Sequence, residues 1–152
     1  KSLLRNPVAT SSLEELSKGS FQSVIDDVSV DANKVTKIIL CNGKVYYDLL
    51  TQKQDEFPHI AVIRIEELYP APIDSLEKAF AKYRHAKHIV WLQEEPQNKG
   101  AWYHIRHFVE RVLRQDQPLL CVARDRSSVP AVGYHALYVK QQAEIVKRAL
   151  DI

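Results

Sequence analysis

The chain has 152 residues, the size of one domain at roughly 100–200 residues each, and a fold of that size hides roughly 70% of the extended chain's surface. Hydrophobic residues make up 45% and charged residues 26%, an ordinary globular balance. A formal net charge of +2 excludes the strongly basic field of a nucleic-acid-binding surface, and no apolar run approaches the ~20 residues of a membrane span.

The opening Lys1-Ser2-Leu3-Leu4-Arg5-Asn6-Pro7 lacks a signal-peptide pattern, and a first residue other than Met suits a fragment or a processed product. Residues 1–33 read as an irregular connecting segment. Within it, Ser11 or Ser12 with Glu14 or Glu15 forms a capping box for a short helix that Gly19 stops. Residues 34–152 read as a regular α/β domain. Strands are predicted near 36–41, 60–65, 88–92 and 119–123, each a short apolar run. Between them lie helical stretches. The first runs from Val45 to Lys53. The second is capped by Asp74 or Ser75 and carries Leu76, Ala79, Phe80 and Tyr83. The third carries Trp102, Ile105, Val109 and Val112. A closing helix carries Val139, Ala143, Val146 and Leu150. Nearly continuous apolar strands alternating with helices predict a three-layer α/β/α domain with a mostly parallel sheet of about five strands.

Few residues advertise chemistry. No Gly-x-Gly-x-x-Gly follows a strand, and no Gly-x-Ser-x-Gly elbow is present. Asn42-Gly43-Lys44 resembles half a phosphate loop but suits a tight strand-to-helix turn better. Glu94-Glu95-Pro96 closes a strand at the edge where open α/β sheets bind ligands. Adjacent carboxylates there can serve acid–base chemistry. The simpler reading has one facing water and the other paired with a cation, because neighbours on an extended chain point to opposite sides. On that reading Glu94, Glu95, Pro96, Gly100 and Trp102 belong to a structural loop, with Trp102 anchoring the following helix. His104 and His107, three apart on a helix, suit a metal, yet no further ligand has matching spacing, so a solvated pair is expected and no metal site is assigned. Cys41 and Cys121 read as buried free thiols, which fits a reducing compartment.

Taken together, several motifs resemble one family in order along essentially the whole chain. They are Lys1-Ser-Leu-Leu-Arg-Asn-Pro7, Cys41-Asn-Gly-Lys-Val-Tyr-Tyr-Asp-Leu-Leu50, Val62-Ile-Arg-Ile-Glu-Glu-Leu-Tyr-Pro70, Trp91-Leu-Gln-Glu-Glu-Pro-Gln-Asn-Lys-Gly-Ala-Trp102 and Ser128-Val-Pro-Ala-Val-Gly133. The series is similar to the C-terminal region of the thiamin-diphosphate-dependent 2-oxoglutarate dehydrogenases, on a transketolase-like C-terminal-domain fold. Asn42 stands where that family more often has Ser, and Asn98-Lys99-Gly100 where it commonly has Asn-Gln-Gly.

The resemblance implies a homodimeric oxidoreductase of the citric acid cycle. It would bind thiamin diphosphate and Mg²⁺ in preceding domains and pass succinyl to a lipoyl acyltransferase component. These 152 residues would hold no catalytic or cofactor-binding residue and would be inactive alone. They would complete the dimer and, as in some members of the family, carry an allosteric site for acetyl-CoA or AMP. Arg5 is the best match for the phosphate contact, with Lys37 and Lys44 behind it. A bacterial cytoplasmic setting follows, or the mitochondrial matrix in a eukaryote; neither nucleic acid nor membrane is an expected partner. Two other readings compete. One is an independent nucleotide- or CoA-binding module. The other is a small hydrolase that uses Glu94 or Glu95.

Overall fold

A computed structural model describes residues 3–53 and 56–152; Lys1 and Ser2 of the opening motif lie outside the described residues. Two short 3-10 turns, Leu3–Arg5 and Pro7–Ala9, precede helix α1, Leu13–Lys18. The capping box is present on Ser12 and Glu15, and Gly19 ends the helix. From there the order is β1 (Val24–Ile25), β2 (Lys37–Cys41), α2 (Val45–Lys53), β3 (Ile60–Ile65) and α3 (Ile73–Phe80). It continues through β4 (His88–Pro96), α4 (Trp102–Val112), β5 (Leu119–Arg124) and α5 (His135–Asp151).

The five strands form one sheet in the order β1-β3-β2-β4-β5. All neighbours are parallel except β1, which pairs antiparallel with β3. Because Ile38, Leu40, Ala61, Ile63, Ile89 and Trp91 point to one face, they build a core with α3 and α4. The alternate residues, among them Ile39, Cys41, Val62, Val90 and Leu92, pack against α2 and α5 on the other face. This is the three-layer α/β/α arrangement. The sheet grows one way from β2 to β3 and the other way through β4 to β5, so its topological switch point lies between β2 and β4.

Several local expectations change. Strand β1 lies inside the stretch read as a connector; two residues give no periodic signal. β4 runs on to Pro96, so Glu94, Glu95 and Pro96 are its last three residues and not a loop. The ladder with β5 shifts register after Leu92 and resumes at Pro96 opposite Arg124. Helix α3 starts at Ile73 without a side-chain cap. Asp74 and Ser75 therefore sit inside its first turn, where the Ser23 and Ser75 hydroxyls are 3.3 Å apart. On α5 the buried stripe is Gln142, Ile145, Val146, Ala149 and Leu150, while Val139 and Ala143 face outward. The stripe is rotated because a polar residue, Gln142, occupies an inward position.

Candidate functional site

The switch-point crevice at the carboxyl ends of β2 and β4 is where an open α/β sheet normally receives a ligand. Here β2 ends in the turn Asn42-Gly43-Lys44. Gly43 has φ +68, a left-handed conformation open to glycine without strain, and the turn delivers Lys44 to the start of α2. Lys44 pairs closely with Asp48 one helical turn later and lies 3.3 Å from the Glu94 carboxylate on β4. The crevice is thus bridged from wall to wall by one cation between two carboxylates.

Helix α5 completes the cluster. Gln142 Nε2 donates to Asp48 (2.8 Å) and to Glu94 (3.1 Å), and its Oε1 accepts from Arg124 Nη2 (2.7 Å). The Tyr138 ring lies under the Arg124 guanidinium at 4.8 Å. Burial pulls the Lys44 pKa down, but hydrogen bonds to Asp48 and Tyr138 and the charges of Glu94 and Asp48 outweigh it and hold the ammonium above the ordinary lysine value. Two carboxylates face two cations here, and each carboxylate is already engaged within the chain. Such a cluster joins α2, β4, β5 and α5; it is not arranged to pass protons to a guest.

Gln93 organises the neighbouring turn. It is fully buried, and its Oε1 accepts from Trp91 Nε1 (2.9 Å) and from the Trp102 backbone N–H (3.0 Å). Its Nε2 donates to the carbonyls of Pro96 (3.0 Å) and Glu95 (3.4 Å). A Cβ at Gly100 would lie 2.6 Å from this amide, so only glycine fits there. Trp102 begins α4 and is buried against the α3–α4 core. Asn98 clamps the far side, exchanging two 3.0 Å hydrogen bonds with the Ser127 main chain.

A second feature is a cavity of about 640 Å³ between the N-terminal segment and the α2–β3 edge. Arg64, Tyr46, Tyr47, Glu66 and Phe21 line it. The Arg64 guanidinium stacks 4.3 Å from the Tyr46 ring centre, donates to Tyr47 OH at 3.0 Å and lies 3.4 Å from Glu66. It is the cation nearest to an open, aromatic-walled space.

The three cations singled out from sequence do not converge. Arg5 is exposed in the first 3-10 turn. Lys37 opens β2 and Lys44 follows its end, so the strand alone separates them by roughly 13 Å at ~3.3 Å per residue. Lys37 is buried and donates to the carbonyls of Leu150 and Ile152, 2.8 Å each. Glu95 ends up partly exposed and gives its carbonyl to Gln93. His104 and His107 sit on the outer face of α4, with His104 Nε2 hydrogen-bonded to the Leu68 carbonyl at 2.8 Å. Among the described residues no three His, Cys, Asp or Glu side chains are grouped to hold a metal ion, and no helix is long and apolar enough to cross a membrane. Both cysteines are free, Cys41 buried and Cys121 half-buried, and burial pushes their thiols up to about 12 and about 11. Arg64, Asp48 and Gln142 were not singled out from sequence, and Arg124 was read only as one of several scattered basic residues near strand ends. Their roles depend on partners up to 94 residues away, which no local spacing marks.

Comparison with known proteins adds a further layer. A family model described as 2-oxoglutarate dehydrogenase C-terminal matches residues 10–150. The 2-oxoglutarate dehydrogenase E1 component of Coxiella burnetii is 48% identical over 156 residues, covering all of this chain and 17% of that protein. Its counterpart in Haemophilus influenzae is 46% identical over 153 residues, covering 99% of this chain and 16% of the relative. A 2-oxoadipate dehydrogenase complex component E1 of Xenopus laevis is 43% identical over 155 residues, with 99% and 16% covered. The chain therefore spans about a sixth of the length of these relatives.

Proposed function

Because these residues belong to the 2-oxoglutarate dehydrogenase C-terminal family, we propose that they form the closing domain of a thiamin-diphosphate-dependent enzyme. That enzyme decarboxylates 2-oxoglutarate and passes the succinyl group to a lipoyl acyltransferase partner. The domain's role in it is architectural: it supports a homodimer and does no chemistry itself. The observation that carries this reading is the switch-point crevice, bridged by Lys44, Asp48, Glu94 and Gln142. The same donor set does not fit a Mg²⁺-diphosphate. Its two carboxylates already hold Lys44 and the Gln142 amide, and a second cation, Arg124, stands beside them. Thiamin diphosphate and Mg²⁺ belong, on this reading, to the part of the polypeptide that has no counterpart here. The setting is the bacterial cytoplasm, or the mitochondrial matrix in a eukaryote.

The test is Glu94→Gln in the full-length enzyme. The substitution removes the charge that holds Lys44 and keeps the side chain's shape. The expected result is a lowered unfolding temperature with decarboxylation kcat unchanged within about twofold. A selective loss of the decarboxylation step, with dimer and stability intact, would assign Glu94 to the chemistry instead.

A second reading, regulation by acetyl-CoA or AMP, is favoured by the 640 Å³ cavity. Arg64 there takes the role first assigned to Arg5, Lys37 and Lys44. A guanidinium grips phosphate with two parallel hydrogen bonds, and the surrounding aromatic rings suit an adenine. Calorimetric titration of both ligands into the full-length enzyme should show binding that Arg64→Lys weakens and Arg5→Lys leaves largely intact. Loss on Arg5→Lys alone would return the contact to Arg5.

A further inference from the structure

Residues 3–22 are folded without a core. Leu4, Val8, Leu13, Leu16 and Phe21 are each between 66% and 87% exposed, five large apolar side chains in one short stretch. Helix α1 buries none of its residues, yet both hydrogen bonds of its capping box are made. A six-residue helix is far below the length that holds itself together in water, so its stability has to come from packing. That packing is not with the domain. Every hydrogen bond described for residues 3–22 stays inside the segment: Val8 to Asn6, Thr10 to Pro7, Ser12 with Glu15, Ser17 and Lys18 to Glu14, and the local main-chain turns.

Attachment to the domain begins abruptly at Ser23. Its carbonyl accepts from Glu66 N at 2.9 Å, and β1 follows in the sheet. Asp26 then receives Lys82 and Tyr83, and Asp27 forms a buried ion pair with Lys53 at 2.8 Å while accepting from Val62 N. Upstream of that clamp, the segment and the domain are separated by the 640 Å³ cavity, whose wall includes Val8, Leu16 and Phe21, so a body docked on these side chains would close that space from outside.

We infer that the apolar side chains of residues 4–21 form a docking face for the preceding domain of the same polypeptide. The occupant follows from chain length. The relatives are about six times longer, and the matching family model is that of their C-terminal part. The segment is therefore the stretch by which a large upstream body reaches this domain. Large apolar side chains exposed together in one segment mark an interaction site, and Val8, Leu16 and Phe21 border one common space. Leu13 and Leu16 share one side of α1, whereas Glu14 and Lys18 pair on the other at 3.2 Å, so the helix has an apolar side for the upstream body and a charged side for water.

The inference rests on the proposal that the chain is part of a longer dehydrogenase, and the test separates the two. In the full-length enzyme, Leu13→Cys, Leu16→Cys and Phe21→Cys are compared with Lys18→Cys for alkylation by a maleimide, read peptide by peptide. The same four positions are then replaced by a photo-cross-linking phenylalanine analogue. The three apolar positions should alkylate at least about tenfold more slowly than position 18, and most of their cross-linked peptides should come from upstream of residue 1. Alkylation at the rate of position 18, or cross-links that are not mainly upstream, overturns the inference; cross-links within residues 1–152 that join two isotopically distinguished copies would make the occupant a second copy, and those inside one copy would make it the domain's own α2–β3 edge. Turnover of 2-oxoglutarate by the unmodified enzyme is measured in parallel. An active enzyme with these positions exposed sinks the docking face alone. An inactive one sinks the functional reading, while protection and cross-links still decide the interface.

Discussion

Gln93 uses all four of its hydrogen-bonding positions inside the fold, two as acceptor and two as donor. It thereby ties Trp91 of β4 to the first residue of α4 and holds the turn between them. The family-like spelling Gln-Glu-Glu-Pro with Gly-Ala-Trp follows from this geometry. Gln supplies the amide, Pro96 and Glu95 supply carbonyls, Gly100 leaves room for the amide, and Trp102 supplies both an N–H and a buried indole. Gly100→Ala should destabilise by roughly 1–3 kcal/mol, since the amide it strikes is held at four points and cannot swing away. Trp102→Ala, which empties a buried site, should cost roughly 3–5 kcal/mol. Urea unfolding of the two variants checks both values and their order.

At the scale of elements, Lys37 is the clearest case of a side chain that joins distant pieces. It fastens the start of β2 to the end of α5 through two main-chain carbonyls. Burial lowers its pKa from 10.5 to about 8, although the negative charge of Asp151 pulls the other way. The folded chain thus sheds this proton before the unfolded chain does. Between pH 8 and 10.5 the unfolded state binds more protons, so stability gains from Lys37 as pH rises through that window. Below pH 8 both states are charged and the full burial cost is present. Thermal unfolding of wild type and Lys37→Met from about pH 7 to 10.5 should show the wild type improving relative to the variant as pH rises; parallel curves would contradict the assignment.

Elements of this kind differ in how well they can be read from sequence. The four long strands and α2 were legible because their apolar runs and turn residues are local. β1 was not, because two residues in a sheet carry no period. The end of β4 was hidden by two charges and a proline that serve the ladder and the Gln93 turn. The inward face of α5 was half legible: Val146 and Leu150 are buried, but Val139 and Ala143 are exposed and Gln142 points inward to serve Asp48, Glu94 and Arg124. Lys37 looked like a free cation because its partners sit at the opposite end of the chain. The candidate site was less legible than the fold for the same reason: Glu94 was noticed, but its meaning depends on Lys44 and Gln142, and Arg64 gains its role only when the N-terminal segment passes over it.

For the whole molecule, the sheet presents its usual ligand-binding edge already occupied by its own side chains, and a core lies on each face. At its N-terminal side an apolar segment passes over the domain, and an arginine lines the space beneath it. That combination suits a domain that gains its purpose from a larger body. The most direct measurement is release of CO₂ from 2-oxoglutarate, with thiamin diphosphate, Mg²⁺ and an artificial electron acceptor supplied. It is made on the full-length polypeptide and on residues 1–152 in parallel. The full-length polypeptide should turn over 2-oxoglutarate, and residues 1–152 should show no rate above the protein-free background. Protein-dependent turnover by the 152 residues alone, or none by the full-length polypeptide, would contradict the account.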